Sequence, residues 1–484
     1  MMTASKFRID QWILGIIVCA FLFRFFSLGS INLLVEEAYY WNYSAHLDWS
    51  YLDHPPMVAL LIKLSTFFGG TEEWAVRAPS LICWVLAACY SYRLTTMFGE
   101  QGIVAVFFLS ILPFFFLQSW VMTPDQPLLV AWSALLYYLY RACVLDESRA
   151  WWFSGIALGV GLLSKYTIVL LIPATFLFLL FSSKRYWLWR LEPYCALLLA
   201  GVIFSPVLYW NAMHDWVSFA FQSSRRLQET STCSTHILLG LLVLFLTPIG
   251  LKHLLHFCRV SRDSEGESLF FLKCMFFLPL FVFTCFSMSH AVKFNWIGPS
   301  VLALIPWFAR QFNSYRKAWL WSGFVLLFGY SAIFVMIITG QPTPIYQALF
   351  NRYINWEQWS ETLFRKLVKI ERDTQTKPYV VALDKYNIAS EFAFYQQKLH
   401  PSHTYTLWGS DVFGGESLMY RYWRANHSPN GQTLVLVTDN SLHFNNPAIA
   451  LHAIKISPIE SWMAVSQGVG EEVRPYFYRT IVYD

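Results

Sequence analysis

Leu33-Leu34-Val35-Glu36-Glu37-Ala38-Tyr39-Tyr40-Trp41 closes an apolar run that begins near Trp12 and carries a single charge, Arg24. About 20 such residues cross the hydrocarbon core of a bilayer as a helix, so the run reads as a first transmembrane span. Two carboxylates then emerge at its far end among Tyr and Trp, the side chains that collect at the headgroup level. Met1 to Phe7 is too short and polar to flank a cleavable leader, so the span is expected to remain uncleaved.

Further runs of spanning length begin near Val76, Gly102, Pro127, Trp152, Ile168, Tyr194, Ile237, Leu269, Trp296 and Ala318, which predicts about eleven crossings. The Trp152 and Ile168 runs meet at Ser164-Lys165-Tyr166, with no room for a true loop. Met57 to Phe68 is half a span long and is expected to lie in the interface. Composition agrees. Of 484 residues 56% are hydrophobic and 13% charged, about half the charge of a soluble domain, which excludes an ordinary cytosolic enzyme. The residues before Gly340 carry the whole net charge of +5, scattered between apolar runs, so it speaks for topology and against nucleic-acid binding. Eight of nine Cys lie in or beside apolar segments, Cys233 alone in a polar loop, and no spacing suggests a disulfide framework or a zinc site.

Lys and Arg alternate between the short loops. Lys6 and Arg8, Arg141 and Arg149, Lys184 to Arg190, Lys252 to Arg262, and Arg310 to Lys317 form one set. The opposite set is acidic and aromatic: Glu36, Glu37, Asp48, Asp53, Glu72, Glu73 and Asp125. The basic set is expected to be cytoplasmic. An odd number of crossings then places the N-terminus inside and the C-terminal segment outside. The expected fold is an all-α polytopic membrane domain, residues 1–339 with a first outer loop 35–75, followed by a small α/β domain, residues 340–484. In that second domain short β-like runs at Tyr379–Leu383, Thr404–Trp408, Thr433–Val437 and Tyr476–Val482 surround a helical pattern, Ile388 to Gln397, after an amphipathic stretch from Tyr346 to Glu371.

The outer face gathers the polar residues that could carry chemistry. Adjacent carboxylates on a helix point about 100° apart, so at most one of Glu36 and Glu37 faces a given cleft. Such an acid could serve as general base for a hydroxyl, or simply sit in an aromatic belt. Asp53-His54-Pro55-Pro56 suits a divalent metal or a phosphate oxygen, or is a capped turn. Asp125 is either a helix cap or a second acid. Lys165 in an apolar setting implies a polar cavity or a snorkelling cation. Arg225, Arg226 and Lys293, against the positive-inside trend, call for a phosphate-bearing ligand or for ion pairs with these acids. No Walker loop, GxGxxG or GxSxG is present, so no nucleotide or redox cofactor is expected. An enzyme working outside the cell needs a donor delivered within the membrane, and a lipid-linked donor meets that need.

In order, Glu36-Glu37-Ala38-Tyr39-Tyr40-Trp41, Tyr51-Leu52-Asp53-His54-Pro55-Pro56, Thr123-Pro124-Asp125, Leu163-Ser164-Lys165-Tyr166 and Lys293-Phe294-Asn295-Trp296 resemble the bacterial dolichyl-phosphate-mannose-protein mannosyltransferase-like group. These are GT-C fold glycosyltransferases related to the lipid A aminoarabinose transferase. Asp384 to Tyr395 is similar to the outer domain of such proteins, and the similarity runs nearly the whole chain. It implies transfer of a sugar, with inversion, from a polyprenyl-phosphate donor to an acceptor such as lipid A, another glycan or a protein, at the outer face of a bacterial inner membrane. Glu36 stands where relatives carry the catalytic Asp, Glu37 matches their Glu, and Asp125 matches a second acid. Asp53 and His54 stand where the aminoarabinose transferases have a Glu-Lys pair on metal and carrier phosphate. Asp53 is thus the expected ligand of a divalent ion. His54, Lys165, Arg225, Arg226 and Lys293 are expected at the phosphate, and Tyr39 and Asn295 at the substrate. The metal-associated His of the relatives has no match near Ser223-Ser224. A transporter or flippase would also show many spans and buried charges, but no inverted repeat is visible. Glu in place of Asp also leaves open an inactive binding relative.

Overall fold

The structure is a computed structural model that describes residues 10–225, 233–342, 344–346, 354–424, 429–468 and 470–484; of these, residues 224, 225 and 262–265 are described by backbone alone. The chain forms two compact units. One comprises residues 1–26, 53–58 and 78–330, the other residues 27–52, 59–77 and 331–484. Compactness therefore groups two stretches of the first long loop with the C-terminal segment, whereas the sequence division falls at residue 340. The local reason lies in the Val35–Ala45 helix. It buries every residue from Glu37 to Ser44 and packs along the Asn387–Leu399 helix of the same unit.

The first unit is helical. Each run predicted to span begins in or within two residues of a helical segment. Among the described residues six stretches are long and apolar enough to cross a membrane: Glu73–Met97, Asp125–Val144, Glu192–Met213, Thr235–Arg259, Gly266–Ser287 and Gly298–Thr339. Shorter apolar helices occupy Gln11–Ser27, Met57–Gly69, Gly102–Ile111, Ala150–Leu162 and Tyr166–Phe181. Large apolar side chains cover the outward faces, with Phe328 76% and Trp321 71% exposed. Surface of that kind belongs in hydrocarbon, and the chain is a multi-pass membrane protein. With lipid outside, helices gain nothing by hiding Leu from water and associate through close backbone approach. Gly155 and Gly159, four apart on the Ala150–Leu162 helix, meet the Glu192–Met213 helix in this way. A Cβ at Gly155 would lie 2.6 Å from the carbonyl oxygen of Ala196. Arg24 is fully buried, donates to the carbonyl of Ser110 at 2.9 Å and lies over the rings of Phe116 and Trp84.

The second unit carries a six-stranded mixed sheet: β1 Tyr379–Ala382, β2 Leu407–Trp408, β3 Thr433–Thr438, β4 Ala453–Ile456, β5 Glu460–Val465 and β6 Glu472–Tyr483. The order is β2-β1-β3-β6-β4, with β5 also on β6. β1 pairs in parallel with β2 and β3, and the remaining pairings are antiparallel. β3 is buried at all six positions, as a central strand must be. Val381, Trp408, Leu434, Leu436, Phe444 and Ile481 form the core beneath it. The amphipathic stretch folds as the Trp356–Thr374 helix, capped by the Asn355 side chain on the Gln358 N–H; residues 347–353 lie outside the description. β4 and β5 escape the sequence reading because their exposed faces break the apolar run that marks a strand.

Candidate active site

In the second unit the Val35–Ala45 helix starts at a locked corner. Arg77, in the first turns of the Glu73–Met97 helix, places Nε 3.0 Å from both carboxylate oxygens of Glu37 and Nη2 2.7 Å from Oε2. Its remaining N–H groups donate to the carbonyls of Leu28, Ile31 and Asn32 at 2.8–2.9 Å. Glu37 in turn accepts the Leu34 N–H at 3.0 Å, the acidic half of a capping box. Both side chains are wholly inaccessible. Glu37, a catalytic candidate by sequence, is therefore the anchor of the turn, whereas Glu36, one residue earlier, is exposed. Of the two carboxylates, Glu36 is the accessible one. Sequence reading missed Arg77, whose only signal is a charge set just inside an apolar run.

Beneath this corner lies Glu391 of the Asn387–Leu399 helix, fully buried, with neither oxygen hydrogen-bonded to another described residue. Burial raises its carboxyl well above the ordinary range; Glu37 adds to the shift and Arg77 opposes it. Nearby, Lys398 holds Glu73 at 2.9 Å. Tyr39, expected at the substrate, is buried instead. Its ring packs 4.8 Å from that of Tyr386, and its oxygen accepts from the Tyr43 hydroxyl at 3.3 Å. The role it fills is interior packing, because a helix buried from residue 37 onward has no outward place for it.

In the first unit three expected residues meet. Lys165 Nζ lies 2.7 Å from Asp125 Oδ1, and Asn295 Nδ2 donates to Asp125 Oδ2 at 2.5 Å. Lys165 and Asp125 are nearly inaccessible. Each is delivered by a break in helix geometry. Asp125 opens the Asp125–Leu139 helix after Pro124, and Lys165 is extended (φ −160°, ψ 135°) between the Ala150–Leu162 helix and a 3₁₀ turn at Tyr166–Leu170. The ammonium of Lys165 is thus engaged by a carboxylate. The remaining oxygen of Asn295, Oδ1, is buried without a hydrogen bond to another described residue.

Asp53 and His54 are half-buried and Lys293 is exposed. The Asp53 carbonyl accepts from the Gln222 side chain at 2.5 Å, which holds this turn against the Phe221–Arg225 π-turn. Arg225 is described by backbone alone, and Arg226 lies outside the described residues. Among the described residues no three His, Cys, Asp or Glu side chains gather to hold a cation.

The profile of the dolichyl-phosphate-mannose-protein mannosyltransferase family matches residues 53–210, a stretch that includes Asp53, His54, Asp125 and Lys165. The fold matches that of ArnT from Cupriavidus metallidurans in the apo state with a TM-score of 0.62, over 97% of this chain and 98% of that one, at 14% identity. The same protein bound to undecaprenyl phosphate matches with a TM-score of 0.58, over 98% of each chain. The first match is a likeness in sequence over residues 53–210, and the other two are a likeness of fold. Among curated proteins, the lipid A galacturonosyltransferase RgtD of Rhizobium johnstonii is 27% identical over 198 residues, 39% of this chain and 40% of that protein. The chain thus spans well under half the length of that relative.

Proposed function

We propose that this protein transfers a sugar from a polyprenyl-phosphate carrier to an acceptor hydroxyl or phosphate at the outer face of the bacterial inner membrane. The observation that carries the reading is the corner at Glu36. One exposed carboxylate stands at the start of a helix whose register the buried Glu37–Arg77 pair holds. A rigid support of that kind is what a general base needs. For a hydroxyl acceptor, Glu36 takes the proton while the oxygen attacks C1 of the sugar from the face opposite the phosphate. The C1–O bond to phosphate breaks, the electron pair leaves with the polyprenyl phosphate, and the anomeric configuration inverts. His54, Lys293, Arg225 and Arg226 are the groups proposed to meet the carrier phosphate. Asp125, neutralised by Lys165 and held by Asn295, is a positioning residue in this scheme. The N-terminus is cytoplasmic, eleven helices cross, and residues 340–484 lie outside.

The test is mass spectrometry of lipid A, polysaccharide and protein glycans in a deletion strain, complemented with the native chain or with Glu36→Gln. The expected result is loss of one sugar increment from one of these classes, restored by the native chain and not by Glu36→Gln. Unchanged glycans in all three classes, or restoration by Glu36→Gln, would overturn the proposal.

A further inference from the structure

Within the second unit the Val35–Ala45 helix, the Asn387–Leu399 helix and the β2 edge of the sheet enclose a cavity of about 440 Å³. That volume lies in the range of small-ligand sites. Its walls combine two chemistries. Trp41, Tyr379, Trp408 and Trp423 supply aromatic surface; Tyr379 stacks on Trp408 at 4.3 Å, and His46 lies along Trp423 at 4.8 Å. Between them stand the side chains of Gln397 and Thr404, which make no hydrogen bond to another described residue. Gln396 next door shows the contrast: its amide is saturated in both directions by the backbone of Tyr405, at 3.0 and 2.8 Å. Among the described residues no carboxylate lines the cavity, and the one permanent cation there, Arg424, is paired with Asp411 at 3.4 Å.

These walls select among ligands. An acyl chain would strand the amide of Gln397 and the hydroxyl of Thr404 in an apolar contact, which is costly. A nucleotide or a free phosphate would want unpaired cations, and Arg424 is already committed. A pyranose ring has C–H groups on its faces, which lie against aromatic rings, and hydroxyls around its edge, which exchange hydrogen bonds with an amide and a hydroxyl. With Arg424 near and no acid in the lining, a positively charged amino sugar is disfavoured.

We propose that this cavity is a saccharide-binding site for one or two pyranose rings carrying no positive charge, separate from the chemistry at Glu36 and independent of the transfer reading. Saturation-transfer NMR on the full chain in phospholipid nanodiscs tests it, with N,N′-diacetylchitobiose, digalacturonate and the glucosamine disaccharide as probes. Ring protons of the first or second probe should receive saturation with millimolar affinity, and the cationic disaccharide should bind more weakly. Trp423→Ala and Gln397→Ala should each weaken binding about fivefold or more, and Glu36→Gln should leave it unchanged. The Gln397 side chain makes no hydrogen bond to another described residue, so this variant reads the site even if Trp423→Ala unfolds. Absence of transfer to all three probes, preference for the cationic one, or equal binding by Gln397→Ala would overturn the proposal.

Discussion

Replacing Glu37 with Gln leaves the Arg77 guanidinium fully buried with only carbonyls and an amide around it. An uncompensated buried charge costs about 3–5 kcal/mol, so Glu37→Gln should lower the melting temperature of the purified protein sharply. Glu36→Gln alters an exposed side chain, where stability changes stay within about 0.5 kcal/mol. Its effect should fall on turnover, with kcat reduced about 10²–10⁴-fold, the worth of a general base. Thermal melts and initial rates on both variants separate the roles, and a stable, inactive Glu37→Gln beside an active Glu36→Gln would reverse them. Glu391 makes a pH prediction. Burial raises its folded-state pKa, so the native state binds the proton more tightly than the unfolded chain. Its contribution to stability is therefore full below the ordinary carboxylate range and is lost as pH rises toward the raised folded value. Glu391→Gln keeps the shape without the ionisation, and melting temperatures measured against pH should lose that decline. An unchanged pH profile would show that another group sets it.

The Asp125–Lys165 contact couples two elements, the start of one helix and the break before another. Removing either partner strands a buried charge, so Asp125→Asn and Lys165→Met should each destabilise by about 3–5 kcal/mol, while the double variant should lose less than their sum. Additive losses in the thermal melts would mean that the two charges do not support each other. The Ala150–Leu162 helix makes a separate prediction through its small residues. At Gly155 a methyl group meets the Ala196 carbonyl oxygen at 2.6 Å, and at Gly159 it meets the Ile203 Cβ at 2.7 Å; no side-chain rotation moves either atom away. Gly155→Ala and Gly159→Ala should therefore each cost about 1–3 kcal/mol. Unchanged stability of both variants would show that the Glu192–Met213 helix can shift bodily.

For the whole molecule the orientation proposed from Lys and Arg alternation is directly measurable. Reporter fusions at Lys184 and after Asp484 should report opposite sides of the membrane, the first cytoplasmic. Both inside would remove the outer-face site along with the topology.

The sequence by itself determined where the apolar helices begin, because hydrocarbon selects on length and hydropathy and both are local properties. It also determined the central strands β1 and β3 and the Asn387–Leu399 helix, whose apolar periods are unbroken. From order and residue type it marked Asp125, Lys165 and Asn295, and the structure brings these three into one contact. What only the tertiary structure decided is how each charge is used. Glu36 and Glu37 look alike in the chain, and Arg77, forty residues after Glu37, makes one an anchor and leaves the other exposed. Lys165 stands in the chain as a lone cation, and only the fold sets Asp125 on it. The grouping of residues 27–52 with the C-terminal segment is likewise tertiary, since it follows from a helix–helix contact between residues 348 apart, Asn42 and Ser390. Hydropathy is written residue by residue, but the partner of a buried charge is chosen by chain segments that meet only after folding.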